Sequence, residues 1–519
     1  MGDFSRRDMI ALLTLLGAAG IGGRSLWARS EGLVFSEPTP FSFDALVAEA
    51  ERRAREPYAV VMPPGTDIIA RIDYDAHNKI KYRQDHYLEV GDRARVGLFH
   101  LGAFFPLPVQ INLVKDGQSR ELIYRADYFT SPEDSPARKL PDDIGFAGFR
   151  VMGTEKERDW LAFLGGCYFR SSGELDQFGQ SARALAIDVA MPTPEEFPRF
   201  TDFYFAPLEN GDITICCELD GPRVTGALRM DIVREGKIVM DISAHYFARE
   251  DIGRFGIAPL TSMFWFSEMN RERNADWRPE VHDTDGLAVW TGSGERLWRP
   301  LNNPDRVMTS SFLDENPKGF GLLQRDRNFK NYEDDGVFYE KRPSVWVEPK
   351  GNWGKGEVQL VEIPTDDEIH DNIVAYWLSE KPVRKSDRIS LDYRLHWVKD
   401  EPYPSDMGHV IATRMGRGGV PGQPRPPGVY KIVVDFAGGA LPQLDKHDET
   451  VTADVSCSSG NVSFVTCYSN KAEDGSWRAI FDFKPTGPDP VDMRLYLRKG
   501  DRTLTETWLY QFLPAGRTG

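Results

Sequence analysis

The sequence predicts an all-β protein in which a large antiparallel β-sandwich is followed by a smaller one. Short runs rich in β-branched and aromatic residues recur along the chain, separated by Gly, Pro, Asn and Asp turns. Few segments show helical periodicity, and strands do not alternate regularly with helices. At 519 residues the chain exceeds one ordinary hydrophobic core, so we expect two domains of unequal size.

The first 28 residues predict a twin-arginine signal peptide. The pattern Ser5-Arg6-Arg7-Asp8-Met9 precedes the apolar run Met9–Ile21, and a cleavage site is expected near Ala28. Leu26 stands where a small residue is usual, so the cleavage position stays open. The apolar run is too short to span a bilayer and no second one follows, so we expect an exported, soluble mature protein. An uncleaved anchor is the alternative.

Composition narrows the class of ligand. The net charge of −16 at pH 7 argues against nucleic acid or an anionic membrane as a partner, because such binding needs clustered Lys and Arg. Aromatic residues make up 12% of the chain, which fits ring-lined grooves for a neutral ligand. The nine histidines lack metal-ligand spacing, so we expect no metal and no cofactor. Cys457 and Cys467 either pair across a turn or stay free.

We assign residues 33–398 to the larger sandwich. A helix is predicted over Ser42–Arg55, with Ser42 as its N-cap and Pro57 as its stop. Two further helices are predicted near Ala162–Phe169 and Phe255–Glu268. The strands predicted in this domain include Arg95–Leu101, Val109–Val114, Ala184–Val189, Ile213–Leu219, Arg229–Val233, Val239–Ile242 and Leu391–Val398.

A charged, proline-containing linker over residues 399–408 separates the predicted domains. Beyond it, residues 409–519 hold roughly seven strand-like runs, which is the size and rhythm of an immunoglobulin-like sandwich. The Cys–Trp–Cys order of that fold is absent, so only the architecture is predicted. A glycine-rich loop begins at Gly416, and it is either a plain turn or a mobile flap over a groove.

One stretch, Tyr339–Trp377, combines carboxylates with aromatic side chains. Its two predicted strands, Val358–Ile363 and Asn372–Trp377, flank a polar loop with four acidic residues, Asp366, Asp367, Glu368 and Asp371. Upstream lie flat or forked side chains of the kind that polyhydroxylated ligands need, namely Tyr339, Arg342, Trp346 and Trp353. This composition suggests carbohydrate acid/base chemistry, and a solvated acidic hairpin tip is the alternative.

A second acidic segment, Arg278–Leu287, carries His282, Asp283 and Asp285. Its glycine arrives too early for a calcium loop. An ordinary turn is one interpretation of this segment. The other is a partner carboxylate for Asp371, because sugar hydrolysis uses an acid and a base on opposite sides of the scissile bond.

Four segments resemble the periplasmic glucan biosynthesis family OpgG/OpgD (MdoG/MdoD): Phe146–Arg150, Arg278–Leu287, Arg342–Trp377 and Gly416–Pro427. The similarity covers essentially the whole mature chain, and the twin-arginine signal is similar to that of the OpgD branch. The resemblance implies a galactose-mutarotase-like β-sandwich joined to an immunoglobulin-like domain. It also implies a periplasmic protein that works on the β-1,2-linked backbone of osmoregulated periplasmic glucans.

The resemblance implies residue roles as well. Members of the OpgD type are similar to inverting endo-β-1,2-glucanases, and related members transglycosylate. On that basis Asp371 is the expected general acid and Asp283 the expected general base. The candidates for substrate binding are Tyr339, Arg342, Glu368, Trp346, Trp353 and His282.

Asp371 would have to hold a proton near neutral pH in order to act as the acid. We expect the like charges of Asp366, Asp367 and Glu368 to help, together with burial under Trp353. The rival hypothesis is a non-catalytic, glucan-binding component of the synthesis machinery. We also expect a homodimer in which the 416–427 loop approaches a neighbouring groove.

Overall fold

The computed structural model describes residues 32–153, 158–209, 211–271, 276–472 and 475–514. The predicted signal peptide, residues 1–28, lies outside these ranges. Within them, strands dominate and helices are short, which confirms the predicted all-β class.

The α-helices all lie near the start of the described chain, at α1 Phe43–Arg53, α2 Thr66–Ile69 and α3 Tyr74–Asn78. Ser42 caps α1 as predicted, because its side-chain oxygen accepts a hydrogen bond from the Ala45 N–H at 3.2 Å. Leu46 and Ala50 are buried on the face of α1 that packs against Cys216 and Phe247 of a sheet. The helix therefore covers part of the outer face of that sheet.

Over the described residues, 27 strands lie in the larger predicted domain. In chain order they are β1 Thr39–Pro40, β2 Lys81–Tyr82, β3 Leu88–Val90, β4 Ala94–Phe99, β5 Gln110–Lys115, β6 Gln118–Glu121, β7 Phe129–Thr130, β8 Gly148–Gly153, β9 Asp159–Leu164, β10 Tyr168–Ser171, β11 Ser181–Arg183, β12 Leu185–Ile187, β13 Arg199–Ala206, β14 Ile213–Asp220, β15 Val224–Glu235, β16 Lys237–Ala248, β17 Phe255–Ser262, β18 Phe264–Phe266, β19 Val281–His282, β20 Gly286–Trp290, β21 Arg296–Pro300, β22 Met308–Glu315, β23 Gly319–Leu323, β24 Ser344–Lys350, β25 Lys355–Glu362, β26 Ile373–Ser379 and β27 Arg388–Val398.

In the described part of the chain after the predicted linker there are eight more strands: β28 His409–Arg417, β29 Tyr430–Ala437, β30 Val451–Cys457, β31 Asn461–Ser469, β32 Trp477–Lys484, β33 Val491–Lys499, β34 Arg502–Thr503 and β35 Thr507–Phe512. Strands β28, β29, β32 and β31 form a separate four-stranded sheet in that order. The seven predicted runs of this region coincide with these strands, the last run being divided between β34 and β35.

Two large sheets dominate the molecule. The first sheet has the order β1-β6-β5-β13-β14-β15-β16-β27-β24-β23-β20-β21-β35-β33-β30. The second sheet has the order β22-β25-β26-β17-β11-β10-β9-β8-β4-β3. Their facing sides share one hydrophobic core, in which the rings of Phe149 on β8 and Phe203 on β13 lie 4.8 Å apart. Large apolar side chains from both sheets therefore exclude water from one continuous interior.

The first sheet crosses the predicted domain boundary. Strands β21 and β35 pair in parallel, with Trp298 opposite Trp508. A second core contains both tryptophans, together with Trp346 and residues of the C-terminal strands. Because the sheet and this core include residues from both sides of the linker, the two parts pack as one body. The division at residues 399–408 stays a prediction.

Two helix predictions are wrong. The segment Ala162–Phe169 belongs to β9 and β10, and Phe255–Glu268 contains β17 and β18. Every residue of β10 and β17 is buried. A strand covered on both faces is a continuous apolar run, and such a run lacks the alternation that separates a strand from a helix.

Candidate active site

Asp283 directly follows β19 and forms a buried ion pair with Arg342. Nη1 of Arg342 meets Oδ1 of Asp283, and each side chain is only 4% exposed. The Asp283 N–H donates to the Met263 carbonyl at 2.8 Å, which fixes the backbone at this position. Burial raises the pKa of Asp283, and the charge of Arg342 opposes that shift. The pair gives Asp283 one orientation and a cationic partner.

Glu368, from the acidic loop between β25 and β26, joins the same group of side chains. The Tyr339 hydroxyl donates to Oε2 of Glu368 at 2.5 Å, and Nη1 of Arg278 donates to the same oxygen at 2.6 Å. The guanidinium carbon of Arg342 lies 4.3 Å from the centroid of the Tyr339 ring. The structure therefore brings Asp283, Arg342, Tyr339 and Glu368 together.

Asn372 anchors the end of the loop that carries Asp371. Its side-chain oxygen accepts from the Phe264 N–H at 2.8 Å, and its amide donates to the carbonyls of Phe264 and Ile363, each at 2.9 Å. Phe264 lies in β18, opposite His282 in the adjacent strand β19. The residue before Asn372 is thereby tied to the strand that leads into Asp283.

Arg170 is a buried cation on which the charges of both candidate catalytic carboxyls act. Its side chain is 6% exposed on β10. Burial lowers the pKa of Arg170 to about 10, and the negative charges of Asp159, Asp371 and Asp283 oppose that shift. Asp371 is half-buried, whereas Asp283 is 3% exposed, so the site opens to solvent on the Asp371 side. Two carboxyls that are distant in the sequence thus act on the same buried cation.

His282 lies behind Asp283, away from solvent. Its ring is fully buried between Glu280, at 3.0 Å from Nε2, and Gln324, at 3.2 Å from Nδ1. Burial disfavours the imidazolium, yet the hydrogen bond to Glu280 and the charge of Asp285 raise the pKa of His282 to about 9. The expectation that His282 contacts substrate is therefore revised to a positioning role, because no face of the ring is open.

Trp346 and Trp353 lie in hydrophobic cores. Trp346 is fully buried in the core shared with the C-terminal strands. Trp353 packs against Trp377 and Tyr393, with ring centroids 6.2 and 6.1 Å away. Trp377 is near the end of β26 and Asp371 precedes its start, which separates them by roughly 15–20 Å at strand rise. Trp353 therefore does not cover Asp371, and neither tryptophan is retained as a substrate contact.

Several residues of this network have no predicted role. Arg170 is the one arginine in the mostly apolar strands β9 and β10, and a buried cation in such a run is the signal that points to it. Arg278 opens a segment that was singled out, but its partner Glu368 lies 90 residues away. Gln324 links His282 to Tyr332 and to the Tyr339 carbonyl by donating from Nε2. Asp366 and Asp367 are exposed and outside the network.

Other features of the described residues limit the chemistry. Within the described ranges, no group of three or more His, Cys, Asp or Glu side chains is arranged to hold a metal ion. Over the same ranges, no helix has the length and apolar character needed to cross a bilayer. All five cysteines are free thiols, including Cys457 and Cys467.

The fold and the site define an all-β protein in which carboxyl, arginine and tyrosine side chains meet where three loops converge. Residues 41–512 match the family model described as "Periplasmic glucan biosynthesis protein, MdoG". The chain is 51% identical to Glucans biosynthesis protein D 2 of Ralstonia nicotianae, with 98% of each chain covered. It is 44% identical to Glucans biosynthesis protein D of Xanthomonas campestris pv. campestris, over 98% of this chain and 97% of the relative.

A third relative, Glucans biosynthesis protein D of Stenotrophomonas maltophilia, is 45% identical over 92% of this chain and 91% of its own. The chain belongs to the periplasmic glucan biosynthesis family MdoG. Its role therefore lies in the biosynthesis of periplasmic glucan.

Proposed function

We propose that the protein is an inverting endo-β-1,2-glucanase that acts on the backbone of periplasmic glucans. Asp371 serves as the general acid and Asp283 as the general base. The observation that carries the proposal is the link between the two segments: Asn372, next to Asp371, binds Phe264 of β18, which pairs with the strand that leads into Asp283. A pair of carboxyls around one solvent-accessible site is the arrangement that glycoside hydrolysis requires.

The two carboxyls differ in environment, as an acid and a base should. Asp371 is half-buried and can approach a glycosidic oxygen from the solvent side. Burial raises the pKa of Asp283, and the charge of its partner Arg342 opposes that rise and so supports the ionised form that accepts a proton. With only 3% of Asp283 exposed, the proton of the attacking water reaches it through at least one further water.

Tyr339, Arg342 and Glu368 bind the sugar chain in this proposal. Glu368 is 34% exposed, so its carboxylate can accept hydrogen bonds from sugar hydroxyls while Tyr339 and Arg278 hold it in place. Arg342 keeps its contact with Asp283 and lies against the Tyr339 ring. Arg342 therefore takes part both in sugar binding, beside Tyr339, and in the orientation of the proposed base Asp283.

The test is incubation of the purified mature protein with linear β-1,2-glucan. We expect chain length to fall by size-exclusion chromatography while reducing ends rise, and the first products to have inverted anomeric configuration by NMR. Reducing ends that stay constant while chain lengths redistribute would indicate glycosyl transfer. Unchanged chain length at high protein concentration would support the non-catalytic, glucan-binding alternative.

Asp371→Asn should lose at least about a hundredfold in rate, because proton donation by a general acid contributes about 10²–10⁴-fold. Asp367→Asn is the matched control, since Asp367 lies in the same loop and is exposed outside the network. If Asp371→Asn cleaves as fast as the control, Asp371 is not the acid.

We also propose export by the twin-arginine route and a homodimer in which the loop around residues 416–427 approaches the partner's site. The support for the second proposal is that residues 420–428 are all exposed, which leaves this loop free to meet another molecule. A monomeric mass by light scattering would refute the dimer. Retention of the precursor in the cytoplasm after Arg6→Lys and Arg7→Lys substitution would support the route.

A further inference from the structure

A row of alternating arginine and small residues crosses four strands of the second sheet. Gly97 on β4 is opposite Arg150 on β8, Arg150 is opposite Ala162 on β9, and Ala162 is opposite Arg170 on β10. Their neighbours along the strands, such as Phe149 and Phe169, point into the core. Successive side chains alternate between faces, so this row lies on the face that points away from the core.

Two arginines of this row flank one small residue. Arg150 and Arg170 are two strands apart, roughly 10 Å, and both are paired with Ala162 on the strand between them. Aromatic rings lie near each guanidinium, Phe99 at 5.9 Å from Arg150 and Phe178 at 5.0 Å from Arg170. A ring that contacts the flat face of a guanidinium does not block the N–H groups at its edge, and these can donate to a planar or tetrahedral oxyanion.

Both arginines have buried donors without acceptors. Among the described residues, Nε of Arg150 and Nε of Arg170 are enclosed and meet no hydrogen-bond acceptor. Arg170 as a whole is 6% exposed. Buried hydrogen-bond donors nearly always have an acceptor in folded proteins. Two Nε–H donors without acceptors in the same row therefore point to a bound ligand that supplies the acceptor atoms.

The local charge favours an anion in an otherwise acidic protein. Asp283 is already paired with Arg342. Asp159 is the remaining acidic group whose charge acts on both Arg150 and Arg170, and burial raises its pKa against their effect. Where Asp371 carries its proton, as the proposed function requires, two guanidinium groups face one carboxyl and the net local charge is positive.

We propose that Arg150, Ala162 and Arg170 form a subsite for an oxyanion of the carboxylate or phosphate class, adjacent to the candidate acid. The proposal rests on the proposed function for the protonation of Asp371 and for the position of the subsite along a glucan chain. The anion has two sources, a small ion in solution or an acidic group attached to the sugar polymer. Binding in the subsite satisfies both Nε donors and places a negative charge beside Arg170.

The first experiment titrates inorganic phosphate into the mature protein by isothermal calorimetry, with ionic strength held constant by chloride. We expect Arg150→Gln to weaken phosphate binding by about tenfold or more, since it removes one charge and one fork of donors. Ala162→Leu should have a similar effect, because the larger side chain lies between the two arginines and leaves the charge unchanged. Arg71→Gln is the matched control, because this substitution removes the same charge at a side chain that is 69% exposed.

A second titration separates the sources. The ligands are a neutral β-1,2-linked glucose oligosaccharide and the same oligosaccharide with its primary hydroxyls oxidised to carboxylates. A preference of the native protein for the oxidised form, lost in Arg150→Gln, indicates an acidic group on the polymer. Phosphate binding without that preference indicates a free ion.

The proposal is overturned if phosphate binds no better than chloride, or if Arg150→Gln binds it as well as the native protein. Thermal unfolding without ligand checks that each variant is folded, and Arg150→Gln alone keeps the test valid if Ala162→Leu fails to fold. Phosphate binding by a protein that cleaves no glucan would refute the proposed function and leave the subsite standing.

Discussion

The side chain of Asn372 binds both backbone groups of Phe264, with a hydrogen bond of 2.8 Å from the Phe264 N–H and one of 2.9 Å to its carbonyl. The contact joins the acidic loop to β18, a short strand that forms a two-stranded sheet with β19. Neither β18 nor β19 belongs to the two large sheets, so this side chain is a substantial part of what holds the loop in register with Asp283.

Asn372→Ala should therefore reduce both activity and stability. It leaves the buried N–H and carbonyl of Phe264 and the half-buried carbonyl of Ile363 without this partner, at about 1–3 kcal/mol for each buried unsatisfied group. We expect a loss of several kcal/mol in the free energy of unfolding, measured with denaturant, and a fall in kcat for β-1,2-glucan. Asn461→Ala, at an exposed position, is the control and should leave both unchanged. A variant with native stability and activity would show that the loop is held by other contacts.

The Asp283–Arg342 pair makes a second prediction. Both partners are buried, so Arg342→Met leaves a carboxylate without its cation in a region of low polarity. The expected cost is about 3–5 kcal/mol in the free energy of unfolding near neutral pH. Adding Asp283→Asn to that variant should restore part of the loss, because the unpaired charge is then gone.

Chemical denaturation of the two single variants and the double variant measures this coupling. Arg71→Gln, which breaks the exposed pair with Asp67, should leave stability unchanged. Additive effects of the two buried substitutions would mean that the pair contributes no interaction of its own.

Tyr339→Phe tests the contact with Glu368. The variant removes the hydroxyl that donates to Oε2 of Glu368, while Arg278 still holds the same oxygen. We expect a small loss of stability, about 1 kcal/mol, and a KM for β-1,2-glucan that rises severalfold with a smaller change in kcat. Initial-rate kinetics with linear glucan separate the two constants. A fall in kcat alone would assign Tyr339 to the chemical step.

Local patterns predicted the strands of the C-terminal region within a few residues, because strand ends there coincide with Gly, Pro and Asn turns. They failed at β10 and β17, where burial on both faces removes the alternation. Aromatic content suggested that Trp346 lines a ligand groove, whereas Trp346 lies in a hydrophobic core. The sequence alone does not distinguish a tryptophan in a core from one in a groove.

The candidate site was predictable only in part. The acidic loop and Asp283 stood out by composition and resemblance, whereas Arg170 and Gln324 act through contacts that depend on the fold. Arg170 lies in β10, and its pKa depends on the charges of Asp283 and Asp371, which follow it by more than one hundred residues. Such a convergence has no local signature, because only the pairing of sheets determines which side chains meet.

The sheet that crosses the linker predicts cooperative unfolding. Trp298 on β21 lies opposite Trp508 on β35. The guanidinium of Arg325 stacks on the Trp298 ring, 3.6 Å from its centroid. Trp298→Ala should cost about 3–5 kcal/mol, as expected for a large buried ring. Trp277→Ala, at a side chain that is 66% exposed, is the control and should change little.

Scanning calorimetry should therefore give one transition for the native protein, shifted to lower temperature as a unit in Trp298→Ala. Two separate transitions would mean that the parts before and after residues 399–408 unfold independently, in spite of the shared sheet.

Glu218 on β14 predicts how stability depends on pH. Its side chain is 2% exposed, and burial together with the charge of Asp202 raises its pKa from 4.5 to about 8, although Arg53 opposes the shift. The native state therefore binds the proton more tightly than the unfolded chain does. The resulting stabilisation is complete below a pH of about 4.5 and is lost as pH rises through about 8.

Glu218→Gln keeps the shape of the side chain and removes the charge that appears on titration. The variant should resist the loss of stability between about pH 5 and pH 9, with an advantage at the upper end on the order of 2–4 kcal/mol, because one pKa unit corresponds to ~1.4 kcal/mol. Thermal unfolding midpoints across this range measure the difference, and Glu235→Gln, at an exposed position, should follow the native curve. Parallel curves for the native protein and Glu218→Gln would show that Glu218 stays ionised throughout this pH range. In that case the contact of Arg53 Nε with Glu218 Oε1, at 3.1 Å, would lower the pKa of Glu218 by more than burial raises it.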